Sequence, residues 1–261
     1  MHIKNTNLKQ INILGIPVAA VNISQVVQFA GQLIKEGQKG YVTVTGVHGI
    51  IESQKSYAVK HAHLNAFLTV PDGMPLVYIG RWKGFKKIDR CYGPDLMLAV
   101  MEESLKHYWT HYFYGGKEGV AQELKMVFEK KFPGIKIVGT YTPPFRPLND
   151  FEKKQFISEI NRLKPNFIWV GLSTPKQELF MYEYLPLLNT NIMVGVGAAF
   201  DFHTGQIPMA PRWMQRMALE WLYRLLSEPK RLWKRYFYIV PTFLFYFLLQ
   251  ELGLKKFHNE E

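Results

Sequence analysis

Residues 167–196 read FIWVGLSTPKQELFMYEYLPLLNTNIMVGV, and their pattern indicates the fold class. It begins with the apolar run Phe167–Gly171, continues through a polar turn into a helical segment, and ends with a second apolar run, Ile192–Val196. Parallel neighbouring strands need a long crossover connection, which is usually a helix. Two short apolar runs separated by a helix therefore predict a parallel strand–helix–strand unit.

The same alternation runs through most of the chain. Four further runs rich in β-branched or aromatic residues predict strands: Tyr41–Thr45, Ala66–Val70, His111–Tyr114 and Ile135–Gly139. Three stretches with apolar residues at helical spacing predict helices: Pro94–Tyr108, Glu118–Lys131 and Asp150–Leu163. Strands that are almost continuously apolar are required where a sheet is buried on both faces. We therefore expect an α/β fold, with a mostly parallel sheet covered by helices on both sides.

Composition limits the classes of partner and compartment. The chain has 261 residues, of which 48% are hydrophobic and 20% are charged, and this balance is that of a globular protein. A formal net charge of +11 favours acidic partners, which include nucleic acid, nucleotide phosphates and anionic lipid. The single cysteine, Cys91, excludes an intramolecular disulfide framework and fits a reducing compartment.

The C-terminal segment carries most of the basic character. Residues 212–256 contain nine Lys/Arg and three Asp/Glu, so they supply +6 of the net +11. Basic residues beside Trp, Tyr and Phe at helical spacing suit an anionic membrane surface. We divide the chain into a body, residues 1–205, and a basic amphipathic helical appendage, residues 206–261, with a boundary near GQIPMAP at 205–211.

One stretch of the appendage, Phe237–Leu249, is apolar enough to enter a bilayer. It is shorter than the ~20 residues that a spanning helix needs, and Pro241 interrupts it. We favour an interfacial helix. A short re-entrant or tilted span and a buried helix or oligomer contact are the alternatives, and the exposed apolar groups also predict oligomers in detergent-free solution.

Polar residues follow the predicted strands at the sheet edge where ligands of open α/β sheets collect. Asp72 stands between Pro71 and Gly73, and its carboxylate could accept a proton from a hydroxyl, although Pro-Asp-Gly also forms ordinary turns. The hydroxyls of Thr43 and Thr45 could hold a sugar. His48 starts a helix, where a lone histidine is more often structural.

Two later strand ends are also candidates. After Gly171, Ser173–Glu178 could bind a polar ligand or could cap the next helix, with Gln177 or Glu178 closing a capping box. In Gly195–Asp201, small residues such as Gly195 and Gly197 permit close approach of a backbone, and Asp201 could grip a ribose or a base edge or could cap locally.

Several common sites are missing from the sequence. It has no Asp-x-Asp motif for a metal-bound nucleotide diphosphate, no Cys/His pattern with zinc spacing, and no Gly-x-Ser-x-Gly elbow. Arginine is then the remaining candidate to stabilise a diphosphate. The appendage provides five, which could equally face lipid: Arg212, Arg216, Arg224, Arg231 and Arg235.

Five long motifs occur in order between about Val42 and about Tyr236: PDGMPL, DRCYGPDLM, VGLSTPKQELFM, GVGAAFDFHTG and RWMQRMALEWLYRLLSEPKRLWKRY. Together they resemble the WecG/TagA/CpsF glycosyltransferases, family 26. The resemblance implies a Rossmann-like body and an inverting, metal-independent enzyme without a cofactor. Such enzymes move a sugar from a UDP-sugar to a polyprenyl-diphosphate-linked glycan at the cytoplasmic face of the membrane, as peripheral proteins.

The resemblance also implies roles for individual residues. Its proposed catalytic base falls on Asp72, the arginine before its YG/AG motif on Arg90, and the glutamine of its PKQE motif on Gln177. Its nucleotide-side aspartate falls on Asp201. Its diphosphate-binding appendage cations fall on three positions: Arg224, Arg231 and Lys234.

One segment departs from the family pattern. Where relatives often have Thr-x-Asn after the first strand, this chain has Thr43-Val44-Thr45 followed by Gly46-Val47-His48. The variant resembles the GumM-type glucosyltransferases of exopolysaccharide synthesis, so glucose joins N-acetylmannosamine as a candidate sugar, and His48 gains interest. A nucleotide-dependent oxidoreductase and a non-catalytic membrane scaffold remain as alternative functions. Nucleic acid is not an expected partner, because the basic charge lies beside long apolar runs.

Overall fold

The computed structural model describes residues 8–258, apart from the side chain of Arg231. Within these residues the chain forms eight strands: β1 Gln10–Ile13, β2 Ile16–Ala19, β3 Gly40–Thr45, β4 Leu68–Pro71, β5 Thr110–Gly115, β6 Lys136–Tyr141, β7 Phe167–Gly171 and β8 Ile192–Gly195. Helices cover the sheet and form the C-terminus: α1 Ile23–Lys35, α2 Val47–Lys55, α3 Tyr57–Leu64, α4 Met74–Trp82, α5 Gly93–His107, α6 Val120–Lys131, α7 Asp150–Leu163, α8 Lys176–Tyr184, α9 Ala199–His203, α10 Arg212–Arg216, α11 Glu220–Ser227 and α12 Pro229–Glu251.

The main sheet has six strands in the order β4-β3-β8-β7-β5-β6, and every neighbouring pair is parallel. This confirms the α/β class and all six predicted strands. The chain passes from β3 to β4 at one edge of the sheet, and all later strands lie on the other side of β3. The connections that follow β3 and β8 therefore diverge, which leaves a crevice between the ends of these two strands. In open parallel sheets, the crevice at such a point is the usual place for a ligand.

Alternation within β7 shows why both faces are covered. Phe167 and Trp169 enter the core beneath α1, α5 and α6, whereas Ile168 and Val170 enter the core beneath α7 and α8. Successive side chains of a strand point to opposite faces. A strand that is covered on both faces therefore needs an apolar residue at every position. This requirement explains the continuous apolar runs from which the sheet was predicted.

The N-terminal hairpin of β1 and β2 was not predicted. Its turn residues, Leu14 and Gly15, have φ values of 51° and 79°, a region that glycine enters at little cost. The hairpin places Ile11, Ile13 and Ile16 in a third core with residues of α2 and α4. Pro17 is accommodated because β2 lies in a separate two-stranded sheet, in which an edge position needs no donor.

The appendage helix α12 completes this third core. Ile239 and Phe243 are 3% and 4% exposed and pack with the hairpin, α2 and α4. Gln250 fastens the end of the helix, since its side chain donates to the Asn12 carbonyl at 3.0 Å and accepts from the Leu14 amide at 2.7 Å. The last helix is therefore joined to the first two strands by both packing and hydrogen bonds.

The opposite side of α12 is exposed and equally apolar. Phe237, Leu244 and Leu248 are 80%, 60% and 55% exposed, and they lie at helical spacing on one stripe. Across residues 8–258, no helix combines the length and the apolar character that crossing a bilayer requires.

Candidate active site

Asp72 follows β4 at the crevice between the diverging connections. Its amide donates to the Thr45 carbonyl at 2.9 Å, which ties the end of β4 to the end of β3. A Cβ atom added at Gly46 would lie 3.9 Å from Asp72 Oδ2, so this glycine leaves the carboxylate open on that side. The turn therefore projects a carboxylate over the ends of two parallel strands.

Arg90 connects Asp72 to the appendage. Its Nε donates to the Asp72 carbonyl, and one terminal nitrogen lies 3.9 Å from Asp72 Oδ1 and 2.6 Å from Glu220 Oε2. The other terminal nitrogen donates to Gln215 Oε1 at 3.3 Å. Gln215 and Glu220 belong to the segment after residue 205, so one guanidinium from the body organises both the acid and the docked appendage.

The environment of Asp72 changes its acidity. Although 36% of the side-chain surface remains exposed, the surrounding protein strips much of its hydration and raises the pKa to about 6. Glu220 acts in the same direction, whereas Arg90 and Arg224 lower the pKa. A carboxylate with a pKa just below neutrality is ionised at pH 7 and still basic enough to take a proton.

His48 occupies the first turn of α2, beside the same crevice. Burial lowers its pKa to about 4, and the positive charges of Arg235 and Arg224 act in the same direction. Glu52 lies 3.7 Å from His48 Nε2. The imidazole is therefore neutral at pH 7, and two cations of the appendage reach this end of the sheet.

The hydroxyls of Thr43 and Thr45 are turned into a buried polar network. Thr43 Oγ1 donates to Thr69 Oγ1 at 2.9 Å, and Thr45 Oγ1 lies 3.0 Å from His63 Nε2. Ser53 Oγ contacts the other ring nitrogen of His63 at 3.2 Å. Thr43 and Thr45 are 0% and 2% exposed, so these contacts stabilise the end of β3 from within the protein interior. Their role toward a sugar stays a prediction.

Gln177 shapes the loop after β8. Its side chain is 2% exposed, accepts from the Gly197 amide at 2.9 Å and donates to Glu178 Oε1 at 3.1 Å. A Cβ at Gly195 would approach Gln177 Cδ to 3.0 Å, and Gly197 has φ of 56°. No side chain caps α8, so the capping box that was one interpretation of Ser173–Glu178 is not formed. Gln177, the glutamine of the PKQE motif, instead fixes the conformation of the turn that contains Gly195 and Gly197.

The remaining predicted residues lie in α9 and the appendage. Asp201 lies in α9, and its carbonyl accepts from the Ile207 amide at 3.2 Å. Arg224 Cζ lies 5.8 Å from the centre of the Phe202 ring. Lys234 is exposed, with its ammonium 5.6 Å from the Trp233 ring. The Arg231 side chain lies outside the described part of the chain.

Comparisons with known proteins show which family the chain belongs to. A family model described as "Glycosyl transferase WecG/TagA/CpsF family" matches residues 11–257. The chain is 31% identical over 189 residues to the N-acetylglucosaminyldiphosphoundecaprenol N-acetyl-beta-D-mannosaminyltransferase of Bacillus subtilis (strain 168), covering 72% of this chain and 71% of that protein. It is 30% identical over 171 residues to the protein of the same name from Bacillus spizizenii, covering 66% of this chain and 64% of that protein.

The chain belongs to the WecG/TagA/CpsF family of glycosyltransferases. The match confirms the resemblance carried by the motifs. It also extends beyond the range of the motifs, from β1 to residue 257 after α12. The match also sets aside the two alternative functions, a nucleotide-dependent oxidoreductase and a non-catalytic membrane scaffold, because members of this family are transferases.

Three residues of this WecG/TagA/CpsF site were not predicted from the sequence. Glu220 holds Arg90, Gln215 holds both Arg90 and the Ala210 carbonyl, and Tyr92 lies under the Arg90 guanidinium. Glu220 and Gln215 act across more than 120 positions of the chain, so only docking of the appendage reveals them. Tyr92 was within a quoted motif, but its aromatic character gave no reason to separate it from core residues.

Proposed function

We propose that the protein is an inverting glycosyltransferase that moves a sugar from a UDP-sugar to a hydroxyl of a polyprenyl-diphosphate-linked sugar. The names of the two relatives support the acceptor, since both specify an N-acetylglucosaminyl-diphosphoundecaprenol. They also specify a β product, which is what inversion of an α-linked donor gives. The single observation that carries the proposal is the Asp72 carboxylate held at the sheet crevice among the guanidinium groups of Arg90 and Arg224.

The reaction is a direct displacement at the anomeric carbon. The acceptor hydroxyl oxygen forms a bond to that carbon as the bond to the UDP oxygen breaks, and the electron pair leaves with UDP. The hydroxyl proton passes to the Asp72 carboxylate. A positioned general base of this kind contributes about 10²–10⁴ to the rate.

Charge on the diphosphate is balanced by side chains of the appendage. Arg224 is close enough to act on the acidity of both Asp72 and His48. Within the described residues, its Nε is shielded from solvent and has no hydrogen-bond partner, so a donor is available for a substrate oxygen. Guanidinium groups in a water-poor site stabilise a departing anion as a metal ion does elsewhere. We therefore expect transfer without a divalent metal, and we assign Arg231 to the same role.

Exposed apolar side chains support action at a membrane surface, and the resemblance to the family assigns this surface to the cytoplasmic face. They include the exposed stripe of α12 and exposed aromatic residues of α10 and α11, such as Trp213 and Trp221, in a segment rich in basic residues. Amphipathic helices of this composition bind the interface of anionic membranes. We propose that Lys234, which is exposed, contributes to this surface.

The donor sugar is N-acetylmannosamine, by analogy with the relatives' names, and glucose is the alternative that the Gly46-Val47-His48 variant favours. UDP release from a panel of UDP-sugars, with a short-chain polyprenyl-diphosphate N-acetylglucosamine and EDTA present, tests the proposal. We expect acceptor-dependent release with one of these two donors, and a β-linked product by NMR. Failure of every UDP-sugar, or release that ignores the acceptor, would contradict it.

A further inference from the structure

The ring of Tyr92 lies beside Arg90 and Phe202, close to the candidate site. Arg90 Cζ is 3.9 Å from the centre of its ring, and the Phe202 ring centre is 6.1 Å away. Arg224 lies on Phe202 in turn, at 5.8 Å. Two cations and two rings thus form one continuous layer beside Asp72, with Tyr92 in contact with the guanidinium that touches both Asp72 and Glu220.

The hydroxyl of Tyr92 is buried and unpaired. The residue is 4% exposed, and Oη has no hydrogen-bond partner within residues 8–258. Arg224 Nε is likewise shielded from solvent and has no hydrogen-bond partner among the described residues. Buried polar groups in folded proteins are nearly always paired, so two unpaired donors in one layer call for a common partner.

The charges around the hydroxyl identify the chemistry of that partner. Burial raises the pKa of the Tyr92 phenol, and the carboxylates of Glu220 and Asp72 raise it further, so the hydroxyl stays protonated and able to donate. Arg90 and Arg224 face it with positive charge. Glu220 already places an anionic oxygen in this layer, 2.6 Å from Arg90. A site that holds one carboxylate between cations and neutral donors is suited to phosphate oxygens.

We propose that the Tyr92 hydroxyl and Arg224 Nε donate hydrogen bonds to the diphosphate of a substrate, which makes Tyr92 a substrate-binding residue of this enzyme. The inference rests on the proposed function, because both the nucleotide sugar and the lipid-linked acceptor carry a diphosphate. The diphosphate reaches Arg90 in competition with Glu220, and it satisfies the two donors that have no partner within residues 8–258.

Tyr92→Phe separates this role from a structural one, because the ring that contacts Arg90 and Phe202 is retained. Loss of a buried hydroxyl without a partner should leave the Tm of the ligand-free protein unchanged or raise it. Thermal stabilisation by inorganic pyrophosphate should shrink, and the KM for one substrate should rise about 10- to 100-fold, the usual cost of a lost hydrogen bond to a charged group. Tyr112→Phe is the matched control, since Tyr112 is a buried phenol of β5 beneath α7.

UDP and the short-chain lipid acceptor distinguish the two sources of diphosphate. A weaker shift with UDP assigns the hydroxyl to the donor, and a weaker shift with the lipid alone assigns it to the acceptor. Full shifts with all three ligands, or no shift of the wild type with any of them, would overturn the inference. A Tm that falls with unchanged ligand shifts would also overturn it, by showing a structural role.

If Tyr92→Phe fails to fold, Arg224→Lys tests the same site, because lysine keeps the charge and removes the Nε donor. The inference then requires reduced stabilisation by pyrophosphate, and an undiminished shift would contradict it. Hydroxyl-dependent binding of pyrophosphate without any sugar transfer would leave the inference standing and would reject the proposed function instead.

Discussion

At the scale of single residues, the environment of Asp72 makes the ionised form of this side chain unfavourable in the folded protein. Removal of its carboxyl from bulk water raises the pKa to about 6, above the 3.8 of an ordinary aspartate. The folded protein therefore binds the proton more tightly than the unfolded chain does. The stabilising contribution is complete below the unfolded pKa and is lost as the pH rises through about 6. Above pH 7 the protein carries an ionised group that its fold disfavours, at the position that we propose for the general base.

Asp72→Asn should lower turnover by about 10²–10⁴, because the amide cannot accept the hydroxyl proton. The thermal shift produced by UDP should be preserved, and the Tm of the ligand-free protein at pH 8 should rise, since the disfavoured charge is gone. Asp150→Asn, an exposed position at the start of α7, is the control and should change neither quantity. Near-normal turnover of Asp72→Asn would remove this residue from the mechanism.

The pH dependence of transfer should reveal the same carboxyl. Activity requires the ionised form, so kcat/KM should fall as the pH drops through about 6. Glu220→Gln should move this limb to lower pH, because the variant removes a negative charge that raises the pKa of Asp72 and frees Arg90 to pair with it. A limb that does not move would show that Glu220 and Asp72 are not coupled, and a limb that moves to higher pH would contradict the sign of the coupling.

At the scale of elements, α12 has two apolar faces with different functions. Leu232, Ile239 and Phe243 form the buried stripe, and they repeat at the spacing of a helix that packs on a core. The opposite stripe is exposed. A helix with only a core to satisfy would be polar on that side, so the second stripe indicates a second apolar surface. The hydrogen bonds of Gln250 to Asn12 and Leu14 fasten the end of α12 to the body, which sets the orientation of this face.

Substitutions on the two faces of α12 should therefore separate membrane binding from folding. Serine at Phe237, Leu244 and Leu248 together should abolish flotation with anionic liposomes and leave the Tm nearly unchanged, because these side chains are exposed. Phe243→Ala should lower the free energy of unfolding by about 3–5 kcal/mol, the usual cost of such a core deletion. Liposome binding that survives the triple substitution would place the membrane contact elsewhere.

At the scale of the whole molecule, the sequence predicted what depends on local pattern. The six strands of the main sheet were found because burial on both faces leaves an uninterrupted apolar run, and Asp72 was found because it follows one of them. The hairpin was missed because Pro17 interrupts its short apolar stretch. Glu220 was missed because its partner, Arg90, is 130 positions away and the contact exists only after α11 docks.

The functional division at residue 205 stays a prediction, and packing crosses it. Exposed apolar side chains such as Phe237 and Leu244 lie on α12, yet the same helix shares a core with β1, β2, α2 and α4. A composition change marks where the character of the chain alters, but it carries no information on which surfaces meet. The candidate site is consequently built from residues on both sides of this division, since Arg90 contacts Gln215 and Glu220.

The most direct test compares two cations of the appendage, one in the site and one on the surface. Transfer to the short-chain acceptor in detergent, where no bilayer is needed, should be measured for Arg224→Ala and Lys234→Ala. If the appendage stabilises the diphosphate at Asp72, Arg224→Ala should lose about 10²–10³ in kcat, as removal of a preorganised donor does, and Lys234→Ala should stay within about twofold of the wild type. Equal activity of the two variants would contradict the account.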